Sequence, residues 1–145
     1  MAPKRYKEVK NIISGRPYLD LADFVYRSGA SRPTTESLLA VGAFDDLHKL
    51  STSEINRRDL SLHLQDLYRL AGSKSATSQN QMSFELQPEK FEPSGLPDIT
   101  ASEQVRNEID ILGMDVSSHL LEFYGDFLNK IGAVRSCDLI KHRSG

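Results

Sequence analysis

The chain of 145 residues has no tryptophan and a single cysteine, Cys137. One thiol cannot build a disulfide framework, and without a cysteine pair the four-cysteine zinc modules are excluded. The four histidines, His48, His63, His119 and His142, are scattered and never reach the His-x3-His spacing that suits zinc. No apolar run approaches the ~18 residues of a membrane span. The opening MAPKRYKEVK also lacks the hydrophobic core of a secretory signal. These absences lead us to expect a reducing, cytoplasmic setting with no membrane partner. Strand-type alternation of apolar and polar residues is missing too. So are a glycine-rich phosphate loop and a nucleophile elbow: Ser14-Gly15, Ser28-Gly29 and Ser94-Gly95 are isolated dipeptides. Asp45 and Asp46 are adjacent, and neighbours on a turn point apart, whereas two-metal phosphoryl transfer needs carboxylates converging on ions about 4 Å apart. We therefore expect no catalytic residue, no metal and no cofactor in this chain. Cys137, with no nearby cation to stabilise a thiolate, is expected to be a buried structural thiol.

What is present is an ordinary globular composition, 39% apolar and 26% charged, in a length suited to one domain or two small ones. The net charge of −2 hides an asymmetry. Residues 1–75 carry twelve Lys/Arg against nine Asp/Glu, and residues 76–145 carry six against eleven. The first eighteen residues are the most basic, with Lys4, Arg5, Lys7, Lys10 and Arg16 opposed by Glu8 alone. A basic face either holds a polyanion or is simply solvated.

The periodicity is helical throughout. Tyr6, Val9, Ile12 and Ile13 recur at three- and four-residue steps until Gly15 and Pro17. Asp20 caps a short helix with Leu21, Phe24 and Val25 inward and Gly29 at its end. Ser31 and Pro33 open a third helix through Leu38, Leu39 and Val41, closed by Gly42. The spacing Ser51-x-x-Glu54 reads as a capping box for a longer helix with Leu60, Leu64, Leu67 and Ala71 on one stripe, ending at Gly72. From 73 to 98 the composition is that of a linker, rich in serine and proline. Order resumes at Thr100-x-x-Glu103, with Val105, Ile109 and Leu112, and then on a helix carrying Leu120, Tyr124, Phe127, Leu128 and Ile131. A last turn is expected within 136–143. The fold class is all-α: a small helical bundle over 1–72, a flexible linker over 73–98 and a second short helical segment over 99–145.

The tight turn Ser28-Gly29-Ala30-Ser31-Arg32 joins two short helices. Such a hairpin either packs as an ordinary structural unit or offers its amides and the positive end of the second helix to an anion. In the second case Arg27 and Arg32 add charge-assisted contacts to phosphate oxygens, and Lys7 and Lys10 extend the basic surface. Contacts of this kind read backbone rather than base sequence.

The stretch LADFVYRSGASRPTTESLLAVGAFDDL resembles the helix-hairpin-helix region of the bacterial C-family DNA polymerases, the polymerase III alpha subunit and its error-prone relatives. The family's "L-x-D-F-V", hairpin, "GAFD" signature stands here as Leu21-Ala22-Asp23-Phe24-Val25 and residues 38–45. Independently, LPDITASEQVRNEIDILGMDVSSHLLEFYGDFLNKIGAVRSCDL resembles the segment that follows in those enzymes and leads into an OB fold. The resemblance covers about residues 9–140. It implies a non-catalytic, DNA-binding portion of a DNA-directed DNA polymerase, a nucleotidyltransferase acting in replication or repair, whose catalytic palm lies in another part of the protein. The replicative and error-prone branches both remain open. The implied partners are duplex DNA, held weakly and without sequence preference through Lys7, Lys10, Arg27, Ser28, Gly29, Ala30, Ser31 and Arg32, and the rest of the polymerase chain. A sliding clamp is a further partner if the linker stretch SQNQMSFELQ is a clamp-binding peptide, in which Gln79 or Gln81 sets the register and Met82 and Phe84 fill pockets. Alternatively that stretch docks onto the helical body. The rival class is a stand-alone helical adaptor that binds protein through Leu120, Tyr124, Phe127 and Ile131, a stripe that helical spacing otherwise assigns to a core.

Overall fold

A computed structural model describes residues 3–76 and 92–141. The described residues contain helices and no strand, so the all-α class holds. They form two compact units, divided between Thr100 and Ala101.

The first unit is built from α1 (Pro3–Ser14), α2 (Leu21–Ser28), α3 (Arg32–Ala40), the single-turn α4 (Asp45–His48) and the long α5 (Arg57–Ala76). As its sequence dictates, α2 starts at Asp20, whose carboxylate accepts from the Asp23 amide, and stops at Gly29 in the left-handed region, φ 62°. Its face of Leu21, Phe24 and Val25 packs with Ala30, Leu39, Phe44, Leu60 and Leu64 into one core. Phe24 is the hub: the rings of Tyr18 and Phe44 each meet it edge-on at 5.0 Å. Such pairs add about 0.5–1.5 kcal/mol to the burial itself. On α1, by contrast, only Ile12 reaches this core, and Tyr6, Val9 and Ile13 stay exposed.

The long helix opens later than the capping box expected at Ser51 and Glu54. The amide of Asp59 donates to Asn56 Oδ1 at 3.1 Å while the amide of Asn56 donates to Asp59 Oδ2 at 2.8 Å, a reciprocal cap formed by Asn-x-x-Asp. Residues 51–54 instead sit in turns, and the helix runs past Gly72 to Ala76. Asp59 is buried, and its other oxygen accepts from the Ser94 amide at 3.0 Å and from the Ser94 hydroxyl. Asn56 Nδ2 donates to the Leu96 carbonyl at 2.7 Å. The extended residues 92–100 are thereby tied to the first turn of α5.

The second unit consists of α6 (Ala101–Leu112), a 3-10 helix (Leu120–Tyr124) that runs into α7 (Gly125–Lys130), and a 3-10 turn (Ser136–Asp138). The expected continuous last helix is thus split at Gly125. Glu108 of α6 is buried and accepts from the amides of Val116 (2.7 Å) and Ser117 (2.9 Å) and from Gln104 Nε2 (3.2 Å). Burial pushes its carboxyl up, but the Ser117 and Val116 amides and the Gln104 amide outweigh that and bring it down to about 2. The stripe assigned to a core is on the surface: Leu120, Tyr124, Phe127 and Ile131 are 43, 52, 59 and 60% exposed. Cys137 is exposed as well, with Asp138 Oδ2 3.6 Å from its sulfur, and is no buried structural thiol. Both lie on the short elements after α6, and no other described element buries them.

Candidate nucleic-acid interface

The corner between α2 and α3 brings Arg27, Ser28, Gly29, Ala30, Ser31 and Arg32 together as the sequence suggested. Gly29 gives the reversal its left-handed residue, and a side chain there would meet nothing within 4 Å, so the outer face of the turn is open. The inner side is filled. Ser28 and Ala30 are buried, and the Ala30 amide donates to Ser28 Oγ at 3.1 Å. Beneath them the Tyr68 hydroxyl on α5 donates to the Ala30 carbonyl at 2.8 Å. Thr35 Oγ1 lies 2.6 Å from that hydroxyl and 3.2 Å from the Ser31 carbonyl. The Ser31 carbonyl accepts from the Thr35 hydroxyl as well as from the Thr35 amide. Burial raises the Tyr68 phenol above its usual range.

Several donors of the corner are occupied from within the chain. The Ser31 amide donates to Glu8 Oε1 at 2.6 Å, a carboxylate brought in by α1. Arg27 Nη1 donates to Asp23 Oδ2 (2.7 Å) and the Pro17 carbonyl (3.1 Å), Nη2 donates to the Gly15 carbonyl (2.6 Å), and the guanidinium lies 5.2 Å from the Tyr18 ring centre. Hydrogen bonding from the Leu19 amide, with the Arg27 contact, holds the Asp23 carboxyl below its usual range. Arg32 Nε donates to Glu36 Oε1 at 2.7 Å. Both arginines keep 46% of their side chain exposed. Ser31 caps α3 by position only; its hydroxyl shares a 2.9 Å bond with Thr34. Lys7 and Lys10 are exposed on α1, the ammonium of Lys10 4.8 Å from the Tyr6 ring centre. Gln79, Gln81, Met82 and Phe84 lie outside the described residues.

Sequence reasoning missed Tyr68 and Glu8, which reach this corner, and also His48 and Arg57, which brace the far end of α2 and the turn after α3. Glu8 gave no signal, since its partner is 23 positions away. His48 Nε2 accepts from the Leu21 amide at 3.0 Å, which satisfies the first helical amide of α2. Burial lowers its pKa against the opposing pull of Asp20. Arg57 donates through Nε and Nη2 to both carboxylate oxygens of Asp45 at 2.5–3.1 Å. That pair explains the Gly-Ala-Phe-Asp stretch: Gly42, at φ 80°, leaves room for the Arg57 guanidinium, Phe44 fills the core, and Asp45 anchors the arginine. Among the described residues no group of three His, Cys, Asp or Glu side chains converges as a metal site.

Two curated proteins are similar to this chain over most of its length. The DNA polymerase III subunit alpha of Campylobacter jejuni is 28% identical over 145 residues, covering 90% of this chain and 11% of that protein. The error-prone DNA polymerase of Bdellovibrio bacteriovorus is 30% identical over 112 residues, covering 77% of this chain and 10% of that protein. This chain therefore spans about a tenth of the length of these relatives. No protein-family model matches it, and no solved structure does. The two relatives bear out the resemblance to the C-family polymerases read from the sequence.

Proposed function

We propose that this chain serves as a non-catalytic segment of a C-family DNA polymerase, gripping the duplex backbone without sequence preference while chemistry proceeds in another part of the protein. The observation that carries the reading is the alignment with the two polymerases, which covers 90% and 77% of this chain. The open outer face at Gly29, the two half-exposed arginines and the α1 lysines are the groups that would meet phosphates. Since the corner's strongest donors are engaged internally, the affinity is weak. Fluorescence anisotropy with a short duplex tests this. Binding should fall steeply between about 50 and about 500 mM salt as phosphate contacts release counterions. Salt-independent binding, or none at high protein concentration, would remove the reading.

The segment around Gln79, Gln81, Met82 and Phe84 is proposed as a sliding-clamp peptide on its residue types alone. A Met82→Ala/Phe84→Ala double variant should lose clamp capture with helicity unchanged, and equal capture by both forms would end that reading.

One observation favours a second role for the second unit. Leu120, Phe123 and Tyr124 are exposed and line, with Ile109, a cleft of ≈ 410 Å³ bordered by Glu103, Arg106 and Asp110 of α6. Apolar surface of this kind suits a protein partner. Tyr124→Ser/Phe127→Ser should then weaken capture of the neighbouring polymerase polypeptide while leaving duplex affinity untouched; loss of duplex binding instead would argue against it.

A further inference from the structure

The exposed stripe Leu120, Tyr124, Phe127 and Ile131 is symmetric in spacing and in type. Gly125, at φ −52° and ψ −47°, carries the 3-10 helix into α7 without a break, so the four side chains follow one helical path. Their separations are four, three and four residues, and their types run aliphatic, aromatic, aromatic, aliphatic. Both series read the same from either end. We propose that this stripe pairs antiparallel with the same stripe of a second copy of the chain, an inference that rests on the reading of this face as one that binds protein. Leu120 then lies against the second copy's Ile131, and Tyr124 against its Phe127.

A twofold contact needs a surface that complements itself. Alternating steps of four and three are the seam spacing of paired helices, and reversal of the second copy brings aromatic to aromatic and aliphatic to aliphatic. The helical period places Glu122 and Asp126 on the side away from the stripe and Lys130 on its flank, so a second copy brings no like charge into the seam. The cleft of ≈ 410 Å³ beside Leu120, Phe123 and Tyr124 is where the second copy's Ile131 would insert. Leu120, Phe123, Tyr124, Phe127 and Ile131 are each roughly half exposed. Together they present about 500 Å² per chain, and two copies would bury about 1,000 Å², the size of a weak, reversible interface. The unit also has cause to associate. Val105 is its one buried apolar residue among the described residues, and helical units this small draw on association for stability.

The test follows the whole chain by sedimentation velocity over rising concentration. An interface of this size predicts a monomer–dimer equilibrium with a dissociation constant between about 10 and about 500 μM. Phe127→Glu should hold the chain monomeric throughout, whereas Leu62→Glu, at an exposed leucine of the first unit, should associate as the parent does. Circular dichroism should show the same helicity in all three. Register is read by oxidation in a Cys137→Ser background, which needs no disruptive charge. Leu120→Cys mixed with Ile131→Cys should form a disulfide-linked dimer, and either variant alone should not. A parent that stays monomeric, a Phe127→Glu protein that associates equally, or Leu120→Cys linking to itself would overturn the pairing. If the chain is monomeric yet captures the neighbouring polymerase polypeptide, the self-pairing is wrong and the protein-binding reading stands. If it does neither, both fall.

Discussion

The guanidinium of Arg57 closes on both carboxylate oxygens of Asp45 directly above Gly42, so that two turns of the first unit are joined through one half-buried fork. Four consecutive residues that look like a family label thus prove to be a packing device: a glycine for clearance, an aromatic for the core and an acid for the anchor.

Gly42→Ala should destabilise the first unit by about 1–3 kcal/mol, because it combines a positive φ with overlap on the arginine. Arg57→Met should cost about 2 kcal/mol by leaving Asp45 without its charged donor. Both are read from thermal or urea unfolding. Unchanged melting in Gly42→Ala would show that the clearance is not needed.

His48 makes stability depend on pH near neutrality. Its folded pKa lies below the unfolded value of 6.5, and its acceptor nitrogen must be unprotonated to receive the Leu21 amide. The unfolded chain therefore takes up the proton first as pH falls. Stability is intact above 6.5 and declines below it until the lowered folded pKa is reached. The decline should be absent in His48→Gln, a variant whose amide oxygen can still accept; an identical pH profile in both proteins would exclude the histidine as its source.

Glu108 governs the acid range of the second unit. With its pKa at about 2 against an ordinary 4.5, its stabilisation is complete above 4.5 and is lost as pH falls toward 2. Glu108→Gln should abolish this segment of the acid transition and, by mispairing the amides of Val116 and Ser117, raise their hydrogen-exchange rates at neutral pH. Protection unchanged at both amides would mean that the loop holds without the carboxylate.

The parts of this architecture that could be read from the sequence are those fixed by neighbours in the chain. Asp20 as a cap, Gly29 as a stop and the Leu21, Phe24 and Val25 face are local choices of backbone and period, and they occur where the pattern put them. The start of α5 was misplaced because two candidate boxes compete. Asn56 and Asp59 win over Ser51 and Glu54, since Asp59 also binds Ser94 across 35 positions, which no local pattern reveals. Hydrogen bonding from Ser94 and Asn56 overcomes the burial that would raise the Asp59 carboxyl, and holds it below its usual range. The hairpin was equally visible as a turn with flanking arginines. Its occupation was not, because Glu8 and Tyr68 reach it from other helices. The surface position of Leu120 to Ile131 was hidden for the opposite reason, as a regular apolar stripe says nothing of whether a neighbour exists to cover it.

The contact from Tyr68 to the Ala30 carbonyl divides the hairpin into two regions with different freedom to drift. A substitution on the outward side, at Arg32, alters a side chain that faces water and pairs along its own helix, and the scaffold persists without it. A change that shifts the carbonyls at 30 or 31 is felt along the longest helix of the unit, so the inward side is held by foldedness itself, whatever the outward side is recruited to do.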